Sequence, residues 1–446
     1  MMNKRALVLL IAITAITLLT GLVVAAAPAL ATPEAPAEVQ AGKPKWRTPV
    51  QITTDILGGK LPVIEAGSDG RTVLVAYIRQ MSANINDTAP SARKSTNNGA
   101  TWANPVAIAP DGAAEVTFLD IDLDDSNVAH AVWTDLLTGN PNILNIYYAR
   151  ENTWPASPAP FSTVQDPQLI TTPAIAARGG RVFVVWAEDN VGAGLLEIYY
   201  RFSTNGGTSW SANNLVSQQF NVSVKPDMTI GADGRVHLVW QRGIPPFPQH
   251  IMYSQGTVSG NSVIWTTPIP ISDVSGAQRA LTPQLVVDGN TVYVAYTDWR
   301  QDSPVSEHDE QYVHYVRCAT GCTNIANWQS ISNPVSGAQL EERSINPFSV
   351  KSTLARMGGC TYVYFHGVPP GLTNEQIFGV NSCSNWSAGG RDTVTPANEA
   401  AISPQMVPHN NWFLYMVYEK VGNTGGRTVW FVRNDPAVYL PIIRKP

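Results

Sequence analysis

Seven positions share a spacing that suits a ligand site: Arg79, Asp135, Glu188, Arg242, Asp298, Gly367 and Lys420 each stand two residues past a recurring aromatic. Six of the seven are charged, in a chain where only 14% of residues are charged. Two more arginines, Arg279 and Arg343, each precede a recurring proline by four residues. Gathered at one mouth, Arg79, Arg242, Arg279 and Arg343 offer planar forks to an anionic or hydroxyl-rich ligand. Asp135, Glu188 and Asp298 are the candidates for acid/base chemistry, because cleaving a glycosidic bond takes a pair of carboxyls. The alternative is a ring of salt bridges that solvates loop ends.

A long loop, TDWRQDSPVSEHDEQ at 297–311, adds Trp299 and Arg300. An exposed Trp beside charges can stack on a sugar ring; a solvated acidic loop is the other reading. Asp122-Leu123-Asp124-Asp125 lacks the Gly and closing Glu of a calcium loop and reads as a turn. There is no Gly-rich phosphate loop, no Gly-x-Ser-x-Gly elbow and no His-Glu-x-x-His helix. No cofactor and no metal site is expected.

The elements that must position these residues follow from composition and period. Gly 34, Pro 33 and Trp 13, with hydrophobic residues at 44%, argue for many short strands rather than helices. One apolar motif returns seven times: RTVLVAY, NVAHAVW, RVFVVW, RVHLVW, TVYVAY, CTYVYF and WFLYMVY. It closes on Tyr77, Trp133, Trp186, Trp240, Tyr296, Phe365 and Tyr418. Pro62, Pro173, Pro226, Pro283, Pro347 and Pro404 precede it, and each is read as the start of a first strand, where Pro is tolerated. A third strand follows, as in NIYYAR and EIYYRFS. A fourth begins near Trp46, Trp102, Trp154, Trp210, Trp265, Trp328 and Trp386.

Four strands over about 55 residues make a propeller blade. The second strands are apolar on both faces, as sheets packed between two other sheets require. The expected fold is therefore all-β: a seven-bladed β-propeller of four-stranded antiparallel blades, with six blades as the rival count. Trp46 precedes any complete blade, and the last copy stops after its third strand. The N-terminal segment is expected to supply the missing strand and close the ring, which removes exposed edges. The loops between second and third strands share a face with the blade-to-blade links, so the seven positions, six of them charged, fall on that face, the default ligand site of such a fold.

The N-terminus reads as a secretory signal over 1–31: Lys4 and Arg5, an apolar run from Ala6 to Ala27, and cleavage after Ala31 at a small-x-small site. An uncleaved anchor is the alternative, since the run is long enough to span a bilayer. A Pro/Ala-rich spacer occupies 32–44, the propeller 45–433, and a short apolar tail with a basic end 434–446. A secreted or cell-surface chain permits disulfides. The formal charge of −5 offers no field for nucleic acid. A monomer is expected, with a glycan, an extracellular polymer or a protein as partner.

Two of the turns before the fourth strand, Ser95-Thr96-Asn97-Asn98-Gly99-Ala100-Thr101-Trp102 and Ser203-Thr204-Asn205-Gly206-Gly207-Thr208-Ser209-Trp210, resemble the Asp box of the bacterial neuraminidase repeat. Asn97 and Asn205 stand where that box carries Asp. The resemblance implies a sialidase-like propeller over 45–433, with the boxes on the face away from any active site. Lys60-Leu61-Pro62 stands where that enzyme family has an early Arg-Ile-Pro, so no residue is matched to a sialidase catalytic position. Within this scheme Cys318 and Cys322 replace the box of blade 5, while Cys360 and Cys383 face each other across a hairpin of blade 6. Four cysteines allow three pairings; 318–322 with 360–383 fits the repeat, against free buried thiols or a zinc site.

Overall fold

The computed structural model describes residues 44–54, 57–84, 86–110, 115–137, 140–165, 172–189, 196–216, 222–243, 249–272, 279–300, 310–330, 352–368, 373–384, 386, 392–410, 413–422 and 425–435. Residues 1–43, where a leader and a spacer are expected, the tail beyond 435 and Arg343 lie outside them. For Arg279, Asp298, Trp299 and Arg300 the backbone alone is described.

The described chain forms seven antiparallel sheets. Blade 1 runs from Gly59–Ala66 to Val106–Ala107, blade 2 from Val116–Leu123 to Ser162–Gln165, and blade 3 from Ala174–Arg178 to Asn214–Leu215. Blade 4 runs from Ser223–Ile230 to Ser262–Trp265 and Ile269–Pro270, blade 5 from Arg279–Asp288 to Trp328–Ser330, and blade 6 from Ser352–Met357 to Asp392–Thr393. Blade 7 holds Ala400–His409, Phe413–Val421 and Arg427–Asp435. Its fourth strand comes from the N-terminal segment, with Trp46 opposite Asn434 and Val50 opposite Phe431. The first strand of each blade touches the first strand of the next, all the way round. The count of seven and the closure by residues 45–51 are as expected from the period.

Hydrophobic clusters lie between successive blades rather than inside one of them. One joins Val132, Ile146 and Tyr148 of blade 2 to Ile175, Val184 and Trp186 of blade 3. This is why the second strands have no polar face: Val182, Val184 and Trp186 pack one way, Phe183, Val185 and Ala187 the other.

The repeat tryptophans staple neighbouring blades. Five of the seven pack against an aromatic of the preceding blade: Trp102 on Phe431, Trp210 on Tyr148, Trp265 on Tyr200, Trp328 on Tyr253 and Trp386 on Tyr315, while Trp154 packs on the cluster that holds Ala92. Those five partners all lie on third strands, opposite the residue just before the second-strand aromatic. Blade 6 has Gly379 at that place. A Cβ there would stand 2.6 Å from the Tyr364 ring, and it is Tyr364 that Trp46 meets. Trp46 Nε1 and Tyr364 Oη both donate to Asp392 Oδ2.

The two Asn-containing turns have one geometry. Asn97 Oδ1 accepts from the Thr101 amide and Asn205 Oδ1 from the Ser209 amide, both at 2.9 Å. Ser95 Oγ and Ser203 Oγ likewise accept from the Gly99 and Gly207 amides at 2.9 Å. Gly207 has φ +81, and a Cβ on it would stand 1.9 Å from Tyr148 Oη, the ring that Trp210 packs on. The turn needs glycine both for its left-handed backbone and for the closeness of the preceding blade.

One sequence expectation is corrected. Pro62, Pro226, Pro283 and Pro404 lie inside the first strands, not at their starts. Each sits where the register slips against the second strand. The residues before them, Leu61, Lys225, Thr282 and Ser403, have φ between +45 and +54. A bulge leaves a residue out of the ladder, so a Pro without an N–H costs nothing there. The freed amides turn to the neighbouring blade: Leu61 N–H donates to Glu419 Oε1 at 2.9 Å, and Ser403 N–H to His366 Nδ1 at 3.3 Å.

Both disulfides form in the expected pairing, Cys318–Cys322 and Cys360–Cys383. Phe365 lies opposite Phe378, the register that places the second pair across the hairpin. The third strand of blade 6 ends at Asn381, so Cys383 falls in the short helical turn Ser382–Ser384 rather than in the strand.

Candidate functional site

The seven repeat positions, six of them charged, do fall at or near the ends of the second strands, but the structure does not pool them in one group. Asp135 lies opposite Asn145, and each is 7% exposed. Asn145 Nδ2 donates to Tyr147 Oη at 3.2 Å, and Thr163 Oγ1 donates to Asn145 Oδ1 at 2.9 Å. Tyr147 stacks on Trp133 with centroids 5.5 Å apart. Asp135 Oδ1 is buried and takes no hydrogen bond among the described residues. Burial lifts this carboxyl to about 6, because its charged form has lost water without gaining a donor.

Glu188 is used differently. Its Oε2 accepts from Trp186 Nε1 at 2.6 Å and from Ser162 Oγ of blade 2 at 2.8 Å. It is a buried tie between blades 2 and 3. Lys420 pairs with Glu399 at 2.6 Å and lies 3.7 Å above the Trp430 ring. Arg79 Nε donates to Met81 Sδ at 3.2 Å. Arg242 lies opposite His250, and both burial and that arginine's charge keep His250 below the usual histidine range. Gly367 lies opposite Gln376.

In blade 5, Arg279 is directly opposite Trp299, and Arg300 is opposite Glu310. Asp298 sits between Ala280 and Tyr312 in the ladder. The register therefore brings Arg279 and Trp299 together on neighbouring strands.

The first strands carry a second set of acids that the charged positions did not signal: Glu65, Asp120, Asp122 and Asp227. An innermost strand has an unpaired edge, and its amides need acceptors. Blade 2 supplies three to blade 3. Asp120 Oδ2 accepts from the Ile175 amide at 2.9 Å, Asp122 Oδ2 from Ala177 at 2.7 Å and Asp125 Oδ2 from Gly179 at 2.8 Å. Asp227 of blade 4 accepts from Leu285 of blade 5 at 2.6 Å. Asp122 is thus a strand residue, not part of a turn; the turn is 124–127, with Asp124 Oδ1 accepting from Ser126 and Val128.

These acids feel one another across the ring centre. Burial first, and then the Asp122 and Asp120 charges, raise Glu65 well above the carboxylate range. Burial lifts Asp122 to about 7, with the Asp120 and Asp124 charges adding to it. Burial and the Asp120 charge lift Asp227 to about 7. The signal for them was present: Asp120 and Asp227 each stand thirteen residues before their second-strand Trp. Among the described residues no group of three or more His, Cys, Asp or Glu is arranged to hold a metal.

The described chain is a seven-bladed β-propeller in which several first-strand acids cap backbone amides of the next blade, while Asp135 Oδ1 on the loop face takes no hydrogen bond among the described residues. No family model and no curated protein matches it. Solved structures do. A protein of unknown function from Dyadobacter fermentans is similar at 11% identity with a TM-score of 0.52, over 88% of this chain and 100% of that one. A Trypanosoma rangeli sialidase in complex with the inhibitor DANA is similar at 10% identity and a TM-score of 0.45, over 88% of this chain and 58% of that one. The NanB sialidase of Streptococcus pneumoniae is similar at 12% identity and a TM-score of 0.46, over 87% of this chain and 70% of that one. At such identities the likeness concerns the fold alone.

Proposed function

We propose that this is a secreted, non-catalytic β-propeller that binds a glycan or cell-surface polymer through its loop face. The observation that carries the reading is the cluster around Asp135: one unsatisfied carboxyl beside Asn145, Thr163 and Tyr147, backed by the stacked Trp133. Short polar groups on an aromatic floor read hydroxyls. Arg79, Arg242, Arg279, Arg343, Trp299 and Arg300 are the further contacts proposed on the same face. The two disulfides support an oxidising compartment, in keeping with a cleaved signal over 1–31.

A second reading is a glycoside hydrolase with a non-standard site. Asp135 at about 6 is in the range useful to an acid/base group. That reading needs a second carboxyl; Glu188 is committed to Ser162 and Trp186, which leaves Asp298 as the candidate. A glycan array run beside a panel of chromogenic glycosides separates the two. Binding without turnover is expected. Turnover would favour the hydrolase, and neither would leave a protein-binding scaffold.

A further inference from the structure

The opposite face of the ring holds a pocket that nothing in the loop-face reading uses. It opens between blades 5 and 6, encloses about 310 Å³, and is lined by Tyr293, Tyr315, Arg317, Arg356, Thr361 and Trp386, among others. That volume is at the lower end of the range of about 300–1,000 Å³ typical of small-ligand sites. At this blade junction Trp386 meets Tyr315 tilted at 45°, at 5.0 Å. The box turn that accompanies the Trp in blades 1 and 3 is here replaced by the Cys360–Cys383 hairpin.

The chemistry of the lining is specific. Arg356 lies 4.6 Å above the Tyr293 ring, and its Nη1 donates to Gly359 O at 2.8 Å and Thr361 Oγ1 at 2.9 Å. Its Nε reaches Asp288 Oδ2 at 3.3 Å, and Nη2 has no partner among the described residues. Arg317 uses only Nε, on Gln329 Oε1 at 3.1 Å, so both of its Nη groups are unengaged among the described residues. Among the described residues no acid lines the pocket, and Asp288 reaches Arg356 from outside the lining. Both guanidinium charges bear on Tyr315, whose hydroxyl lies 3.4 Å from Thr361 Oγ1. The cavity therefore presents the two unengaged Nη groups of an exposed Arg317, the remaining Nη2 of Arg356, hydroxyls from Thr361 and Tyr315, and an aromatic wall.

Guanidinium forks match a carboxylate in two-point geometry. An aromatic wall takes the apolar face of a sugar ring. A simple anion would use the first and leave the second idle, and a neutral sugar the reverse. We infer that this pocket binds a carboxylate-bearing sugar, a hexuronate unit of an acidic polysaccharide, with Arg317 and Arg356 on the carboxylate and Trp386 against the ring. The site is independent of the loop face, and its test fails or succeeds separately.

The probes are D-glucuronate, D-glucose and acetate, titrated calorimetrically into the full chain. Glucuronate is expected to bind at least tenfold more tightly than either of the others. Arg317→Gln, on an exposed side chain, is expected to weaken glucuronate about tenfold, the loss of one charge-assisted contact. A measurement on the unaltered chain accompanies these: glucuronate should protect Arg317 from an arginine-selective reagent, read by mass spectrometry. Equal affinity for glucose or acetate, no binding of glucuronate, or no protection of Arg317 would each overturn the assignment.

Discussion

Trp210 meets Tyr148 of the preceding blade edge-on, with ring centroids 4.7 Å apart and planes at 73°. The contact crosses from blade 3 to blade 2 and recurs in form around the ring. A four-stranded blade cannot bury both faces alone, so stability depends on such contacts between sheets. Trp210 is fixed from behind as well, its Nε1 donating to Gly207 O at 3.1 Å. Trp210→Ala is expected to cost about 3–5 kcal/mol in urea unfolding. A double-mutant cycle with Tyr148→Leu should show coupling of about 1 kcal/mol, the edge-to-face share of the contact. Additive effects would mean that the Trp only fills space.

The hairpin disulfide should matter more than the turn disulfide. Cys360–Cys383 closes 23 residues, whereas Cys318–Cys322 closes four. Loop-closure entropy grows with the loop, so serines at 360 and 383 are expected to cost about 2–4 kcal/mol and serines at 318 and 322 less. Chemical denaturation of the two double variants ranks them directly.

The first-strand acids give stability a pH dependence with a defined sign. Asp122 and Asp227 hold their protons up to about 7 in the fold, against 3.8 for an ordinary Asp. The folded state thus binds more protons between those limits, so their contribution is fully present below pH 4 and is lost as pH rises through 7. Asp227→Asn keeps an acceptor for the Leu285 amide but cannot ionise. It is expected to exceed the parent in stability at pH 8 by about 1–3 kcal/mol and to match it at pH 4. A gain of equal size at both pH values would point to packing instead.

Ring closure should be indispensable. Removing residues 44–53 strips the last blade of Trp46 and of the ladder to Phe431, Trp430 and Asn434. It also leaves the edge of Arg427–Asp435 unpaired, a template for aggregation. The truncated chain is expected to lose cooperative thermal unfolding, and a peptide of residues 44–53 added in trans should restore part of it.

Much of the fold was legible because it is written in spacing. The second-strand aromatics and the box tryptophans each repeat with the blade, and the missing last strand could be counted. The prolines misled because a Pro opening a strand and a Pro at a bulge look alike in sequence; the difference lies in the positive φ of Leu61, Lys225, Thr282 and Ser403. Glu188 and Asp135 occupy the same repeat position, yet one receives donors from Trp186 and Ser162, while Oδ1 of the other receives none among the described residues. That distinction depends on what the preceding blade places opposite, and no single-blade pattern contains it. The carboxylates that cap innermost amides were missed for a similar reason: an Asp in a strand reads as a solvated residue until the next strand's free amide is seen.

The most direct test of loop-face recognition is the glycan-array signal of Asp135→Ala against the parent, with chromogenic glycosides assayed on both. The account predicts that the parent binds without turnover and that the variant folds with undiminished stability, since its lost carboxyl had no partner, but binds at least tenfold more weakly. Undiminished binding by the variant, or hydrolysis by the parent that disappears in the variant, would contradict it.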